Sequence, residues 1–562
     1  MVSPAEDGDP RSKMLILGQA PSRQEIREGR PFVGPSGEVL QECLHLAGIA
    51  KRECYVLNIW PEEVVTPRAS HNIYERGSER LLWDPKGFTE LGLMKAQPTL
   101  ERIRSSGANC IFALGQQALE LCTGIPSKIM KWRGSILRGM ERVDGKKVVA
   151  SVHPAATIHG VYLWRYLITH DAKRAWEESK TQALTLDPRT ILIRPSLKEA
   201  LAYIKECVRR KRFATDLEIM NWQVSCFSLS FDCSEAMSIP LIDEQGDVWD
   251  EAEEEMIWHA YSEAMYDPEV MKINQNLIGF DVPFLAQQNK IITRGPMGDT
   301  MVAQSVLYPE FNKGLDMLCS MYTREPYYKD EGKMWKTLTG DWATFWRYNG
   351  KDAATALEIW GKQAKELTEN DQWAAYYTRA QLGEPPVLTY MTLRGLDLNR
   401  DALGEANAAI DKEIQELQIE LDALVGEHLN VNSPKQCAKY FYETLRFHPY
   451  RNNAGGFTTD DTAMSRIYRK SGLRQAKLVQ ELRNRKKLKG TYLDVETDQD
   501  EVLRCSWNPV GTWTGRLSSS QTIFDKGLQL QNLDPRFKGF IVSREQFDEN
   551  QGSGSEPGIQ TK

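Results

Sequence analysis

The sequence predicts a multidomain α/β protein, and three observations carry that expectation. At 562 residues the chain exceeds what one hydrophobic core serves, so about three or four domains are expected. Short apolar runs ending in Gly or a turn recur near the start, and a second set of strand-like runs begins afresh near residue 185. Beyond residue 370 the pattern changes to long helical periodicity.

Taken in order, MLILG from Met14, CIFALG from Cys110 and KVVASVHP from Lys147 are continuously apolar, as parallel strands buried on both faces are. They assign residues 1–185 to one α/β domain whose loops meet at the strand ends. RTILIRP then opens a second domain, 186–370. Ser196 and Glu199 form a capping box for a helix through about Cys207, and FATDLEI, SCFSLSF and MSIPLI supply three further strands. In the third domain, 371–542, Ile410, Ile414, Leu417, Leu421 and Leu424 repeat at four and three residues, an amphipathic stripe that reads as core or helix-pair packing. Residues 543–562 hold little that could form a core and are expected to be disordered.

Bulk properties narrow the function classes. A hydrophobic content of 41% with 15 Trp and 20 Tyr fits packed globular domains, and no apolar run approaches the roughly 18 residues that a membrane span needs. The first residues contain no apolar core of a secretory signal. Ten Cys without a Cys-x-x-Cys argue against a zinc ribbon, a redox pair and a disulfide scaffold, so a reducing cytoplasm is expected. A net charge of −7 does not fit a simple DNA-coating protein, but phosphate contacts need only local basic patches. Arg209 to Arg212 reads as a solvated helix end; the other candidate is RNRKKLKG, from Arg483 to Gly490.

The most specific chemistry is acidic. Asp216 and Glu218 are two apart in a strand-like run and therefore share one face. Tyr348 and Asp352 are four apart in a helical pattern and share one helix face. Asp281 lies between them in NQNLIGFDVPFL. Clustered carboxylates repel unless cations neutralise them, and two Mg²⁺ or Mn²⁺ ions can activate water on a phosphodiester. Singly, such residues read as ordinary surface acids; three motifs in this order favour a site.

In order and context these motifs resemble the DEDD-type 3′→5′ exonucleases with a tyrosine in the last motif, which include the proofreading domains of family A DNA polymerases. GDTMVAQSVLYPE and KGLDMLCSMYTREPYYKDEGK read like the middle of such a domain. The resemblance implies a ribonuclease H-like fold and two metal ions. Asp216, Glu218 and Asp352 would be ligands, Asp281 would hold the second ion largely through water, and Tyr348 would orient the attacking water. Asn276 would contact the DNA.

The loops of the first domain, GQAPSRQEIREGRPFVGPSGEVL, YVLNIWP, ALGQQAL, RGSIL and VHPAA, resemble the family 4 uracil-DNA glycosylases. That likeness implies that Phe32 stacks on a flipped base, Asn58 reads its edge and His153 stabilises the departing base. Two departures stand against activity. Gln19 and Ala20 occupy the places where such enzymes carry the acid that handles water, and an amide cannot take a proton. The cluster-binding cysteines are absent, with Trp60-Pro61 where Lys-Cys would stand, so no iron–sulfur cluster is expected. A base-sensing module is the expected role.

NVNSPKQCAKYF, GGFTTDDTAM and LVQELRNRKKLKGTYLD follow in the order of a family A polymerase thumb, which implies phosphate contacts by Lys486, Lys487 and Lys489. TWTGRLSSSQ and LQLQNLDPRFKGFIVS resemble the start of the palm, implying that Arg516 meets the minor groove and that Gln531 and Asn532 line the DNA path. The palm aspartates and fingers helix of that family do not appear in the sequence. DNA synthesis is therefore expected to need a second polypeptide or a spliced product, with single-stranded 3′ ends and primer–template duplex as partners. The combination looks like a phage replication enzyme, which would act in a bacterial host's cytoplasm. Two alternatives remain open: a DNA-binding replication subunit with an inactive exonuclease fold, and a uracil-excising repair enzyme.

Overall fold

The computed structural model describes residues 6–542 apart from 63–81, 85–86, 127, 333–340, 453–454, 499 and 523. The expected disordered tail, 543–562, lies outside the described residues. The chain divides into two compact units, Met1–Gly383 and Glu384–Lys562. The first holds both α/β domains, which the sequence alone presented as separate.

The first sheet runs in the order Glu6–Asp7, Tyr55–Asn58, Met14–Gly18, Cys110–Leu114, Lys147–Ser151, Ile136–Arg138. Its four central strands are parallel and its two edges antiparallel. Alternation explains why MLILG is apolar throughout. Leu15 and Leu17 pack with Leu100, Ile103 and Leu119 on one face, while Met14 and Ile16 pack with Leu40, Cys43 and Ile168 on the other. The carboxyl ends of these strands deliver Gly18, Asn58, Gly115 and the turn at His153 to one edge, where ligands of open parallel sheets bind.

The second sheet runs Met297–Asp299, Met271–Asn274, Arg212–Met220, Gln223–Asp232, Glu235–Pro240, Thr190–Ile193. The three central strands pair antiparallel to one another or parallel to their outer neighbours, as the strand-rich start of the domain implied. Ser196 and Glu199 form the expected capping box, and the helix runs Leu197–Arg209, two residues beyond the expected end. Arg209 and Arg210 pair with Glu206 on its exposed last turn. The 28-residue helix Trp342–Glu369 lies against this sheet, tied to it by Asn349, whose Nδ2 donates to the Asp216 carbonyl at 3.1 Å.

Residues 371–383, which the sequence reading joined to the third domain, pack with the second. Tyr376 is fully buried; its hydroxyl donates to the Met297 carbonyl at 2.7 Å and accepts the Asp299 N–H at 2.8 Å, and its ring lies against Trp360.

In the second unit the helices Arg400–Val425, Asp461–Ser471 and Arg474–Leu488 enclose Leu421, Phe441, Met464, Ile467, Leu478 and Leu482. Ile410 belongs to a second cluster with Leu403, Leu503, Leu528 and Phe537. The stripe expected on the long helix holds as far as Leu421; Leu424, two residues before the Gly426 cap, is 46% exposed. Asp397–Leu398 pairs antiparallel with Ile541–Val542, and Ser506–Asn508 pairs with Ser518–Ser520.

Candidate active site

The strand Arg212–Met220 alternates as its sequence demands. Thr215 faces the helix Glu251–Tyr266, where its Oγ1 lies 2.9 Å from the Tyr261 hydroxyl, while Asp216 and Glu218 face the long helix. That helix brings Asp352 to them, and one carboxylate oxygen from each of Asp216, Glu218 and Asp352 lies within 4.8 Å of the others. The Asp216 carboxylate is held from both sides: Asn274 Nδ2 donates to Oδ1 at 3.2 Å and Asn349 Nδ2 to Oδ2 at 3.0 Å.

Asp281 lies outside that mutual reach, in the helical turn Leu277–Asp281, and is 2% exposed. Asn276 starts this turn in the left-handed region, φ +62°. Buried Asp299 fixes it by accepting the N–H groups of Asn276 at 3.3 Å and Ile278 at 3.0 Å. Among the described residues, Asp281 Oδ1 has no hydrogen-bond partner although it is buried. Such an atom is costly unless an ion or water meets it.

Electrostatics agree with an incomplete charge balance. Burial and the neighbouring Asp352 push Asp216 up to about 7. Burial, then Asp216 and Asp352, raise Glu218 well above the carboxylate range, and burial, then Asp216, do the same for Asp281. The clustered donor set, Asp216, Glu218 and Asp352, offers oxygen ligands only, so the residues fit a hard divalent cation.

Tyr348 is buried beside this cluster, and its phenol is raised far above its usual range by burial and then by Asp352 and Glu218. A neutral hydroxyl therefore points to the site at neutral pH. Gly332 lets the chain pass close to it, since a Cβ there would sit 2.6 Å from the Tyr348 ring.

Two groups missed by sequence reasoning complete the site. The Tyr328 hydroxyl donates to Asp352 Oδ1 at 2.6 Å, and Lys329 Nζ reaches Asp352 Oδ2 at 2.5 Å while lying 4.5 Å from the Tyr348 ring centroid. Both belong to the YYKDEGK stretch. Asn274 and Asn349 were also missed; each sits beside a motif residue.

The first domain gathers a second set. Gly18 allows Phe32 and Asn58 to converge, because a Cβ at Gly18 would lie 2.5 Å from both Asn58 Oδ1 and the Phe32 ring. Phe32 adopts φ +54°, and its ring centroid is 5.9 Å from that of His153. Asn58 Nδ2 is buried without a partner among the described residues. Burial lowers His153 to about 4, so it is neutral at pH 7, and its Nδ1 accepts the Ala155 N–H at 3.2 Å. Gln19 lies at the end of the same strand, its carbonyl accepting the Trp60 N–H. Glu25, the nearest acid in the loop, is committed: it caps the helix Arg23–Glu28 and accepts the Phe32 N–H.

In the second unit Lys489 is occupied by Asp411 and Asp494, each at 3.1 Å, and by Asn407. Lys486 Nζ lies 3.5 Å from Gln418 Oε1, and Lys487 is exposed. Arg516 and Gln531 are exposed and close in the fold, Gln531 Nε2 donating to the Leu517 carbonyl at 2.7 Å. Exposed Asn532 accepts the Tyr492 hydroxyl on its carbonyl.

Comparison with known proteins gives the same order. Residues 5–176 match the uracil DNA glycosylase superfamily, residues 191–368 a 3′-5′ exonuclease family, and residues 400–545 DNA polymerase family A. DNA polymerase I of Treponema pallidum is 26% identical over 230 residues, 39% of this chain and 23% of that protein. DNA polymerase I of Pseudomonas aeruginosa is 25% identical over 334 residues, 57% of this chain and 36% of that protein. The chain thus spans about a quarter to a third of these relatives. A solved structure, the POL domain of Pol1 from M. smegmatis in complex with DNA primer-template and dNTP, is 19% identical with a TM-score of 0.45, covering 62% of this chain and 56% of that one. In sequence and in order, the chain carries a uracil DNA glycosylase superfamily domain, a 3′-5′ exonuclease domain and a segment of DNA polymerase family A.

Proposed function

We propose that the chain is the proofreading part of a family A replication polymerase, hydrolysing nucleotides from single-stranded 3′ ends of DNA. The observation that carries this is the convergence of Asp216, Glu218 and Asp352 beside the neutral Tyr348 hydroxyl and buried Asp281, whose Oδ1 has no partner among the described residues. Asp216, Glu218 and Asp352 would hold two Mg²⁺ or Mn²⁺ ions, with Asp281 reaching the second largely through water. When bound, the ions supply an activated water and stabilise the leaving oxygen. Asn274 and Asn349 fix the rotamer of Asp216, and Tyr348 would orient the water through a hydrogen bond from its neutral hydroxyl. Asn276 stands at the turn that would meet the strand.

In the second unit Lys486 and Lys487 are the better candidates for duplex phosphates, since Lys489 already carries two carboxylate partners. Polymerisation would need palm and fingers residues from outside this sequence, whether in a second polypeptide, a spliced product or a longer chain. The first domain has the pocket of a base reader: Phe32, Asn58 and His153 converge, while Gln19 replaces an acid and Glu25 is engaged elsewhere. It is proposed to sense a base without excising it.

Release of 3′-labelled nucleotides from single-stranded DNA with and without Mg²⁺ tests the main reading; no metal-dependent release would reject it. Abasic sites in uracil-containing DNA would reject the sensing role in favour of excision.

A further inference from the structure

The first unit contains an interface that the exonuclease fold does not need for its own sheet. The loop 323–332, which presents Tyr328 and Lys329 to Asp352, has its other side on the glycosylase-superfamily domain. Lys131 pairs with Asp330 at 2.9 Å, Trp132 meets the Tyr327 ring edge-on at 5.2 Å, and the Tyr327 N–H donates to Ser135 Oγ at 3.2 Å. Arg324 at the loop's start pairs with Glu178 and donates to the Thr185 carbonyl at 2.7 Å.

Behind these contacts the joint is deeply buried. Arg133 and Asp171 form an ion pair at 1% and 0% side-chain exposure. Asp171 is held to about 2 although burial opposes it, because Arg133 and His170 outweigh that cost. Arg133 Nη1 also donates to Ser320 Oγ at 2.8 Å, at the end of the exonuclease helix Leu315–Tyr322, and Arg174 donates to the Met321 carbonyl at 3.2 Å. A Cβ at Gly134, φ +75°, would lie 2.9 Å from the Ser320 carbonyl, so this approach requires glycine. A buried pair with every partner in place is a rigid anchor, whereas a solvated loop would not hold two side chains on one carboxylate.

We propose that the glycosylase-superfamily domain is a positioning element of the exonuclease site, clamping the loop that places Tyr328 and Lys329 on Asp352. The inference rests on the exonuclease reading of that site. Lys329 brings a fixed cation to the carboxylates, where it would meet the scissile phosphate's charge, and Tyr328 fixes the Asp352 rotamer. Lys131, Trp132 and Ser135 would act through their contacts with Tyr327 and Asp330 of the loop.

The test uses the full chain with Lys131→Glu combined with Ser135→Ala, and Lys131→Arg as the conservative control. Amide exchange across residues 323–332, Mn²⁺ affinity by titration calorimetry, and kcat and KM on a 3′-labelled single strand are read together. The double variant should exchange the loop about tenfold faster and lower kcat about fivefold with KM within twofold. It should bind Mn²⁺ about threefold more tightly, because Lys329 no longer competes for Asp352. Lys131→Arg should leave all three at the parent level. Unchanged loop exchange would overturn the clamp, and a loosened loop with unchanged Mn²⁺ affinity and kcat would overturn positioning. A parent without nuclease activity whose Mn²⁺ affinity still shifts would count against the exonuclease reading alone.

Discussion

The two pockets of the first unit solve opposite electrostatic problems. Asp216, Glu218, Asp281 and Asp352 are acids drawn together beside the face of a central strand, and burial raises the first three because nothing among the described residues balances them fully. Phe32, Asn58 and His153 form a neutral wall, His153 being kept uncharged, and the acid nearest to it already caps a helix. On the proposed function, one site would receive cations and the other an uncharged ring. A variant in one should therefore leave the other's readout intact, although they share a compact unit.

The largest expected effect follows from removing a shared ligand. Asp352→Ala should lower 3′ nucleotide release by about a thousandfold or more, since it empties the metal site and frees Tyr328 and Lys329. Binding of uracil-containing single strands should stay within about twofold. Release at the parent rate would sink the assignment of Asp352.

The neutral pocket gives the second effect. Asn58→Ala removes an amide whose Nδ2 lacks a partner in the described residues and so awaits one from a ligand. Preference for uracil-containing over ordinary single strands, read by competition binding, should fall about tenfold while exonuclease kcat is unchanged. An unchanged preference would show that the pocket does not read bases.

The same contrast decided what was legible in the sequence. Asp216 with Glu218 and Tyr348 with Asp352 could be placed because a strand period of two and a helix period near four fix which side chains share a face. MLILG and CIFALG were legible because both faces of a central parallel strand must be apolar. Lys329 and Tyr328 were not, since their direction is set by contacts to residues almost 200 positions earlier, as between Lys131 and Asp330. The ion pairs of Lys489 were hidden for a related reason: a basic run looks free until the helix carrying Asp411 is packed beside it. The packing of residue 376 with the second domain was hidden because Tyr376 is committed to strand Met297–Asp299 by hydrogen bonds without a sequence period.

A third effect comes from pH. Asp216 ordinarily ionises near 3.8 but is pushed up to about 7 in the fold. Between those values the unfolded chain has lost the proton that the folded chain keeps, so without metal this group's contribution falls as pH rises from about 4 to about 7. Divalent ions bind the ionised form and reverse that penalty. At pH 8, saturating Mg²⁺ should raise the Tm of the first unit's transition by about 2–6 °C, and at pH 5 by less than about 1 °C. Equal shifts at both pH values would mean that Mg²⁺ binds elsewhere. The glycosylase-like pocket, whose His153 is lowered to about 4 and so stays neutral between pH 5 and pH 8, should show no matching dependence in base binding.

The smallest effect separates charge from shape within the acidic site. Glu218→Gln keeps the side chain's size and removes one of the mutually repelling charges, and Glu218 is raised mainly by burial and then by Asp216 and Asp352. Without metal at pH 8 the variant should be more stable than the parent, by about 1–3 °C in Tm, because a site that strains the fold in order to bind cations is relieved when a charge is deleted. Mg²⁺ should then stabilise it less than the parent, and nucleotide release should fall steeply. Asp216→Asn should not show the same gain. Its carboxylate accepts from both Asn274 and Asn349, and an amide would set a donor against one of them. If Glu218→Gln lowers the metal-free Tm instead, the carboxylate is held by hydrogen bonds rather than strained by its neighbours, and the cluster is a structural network instead of a cation site.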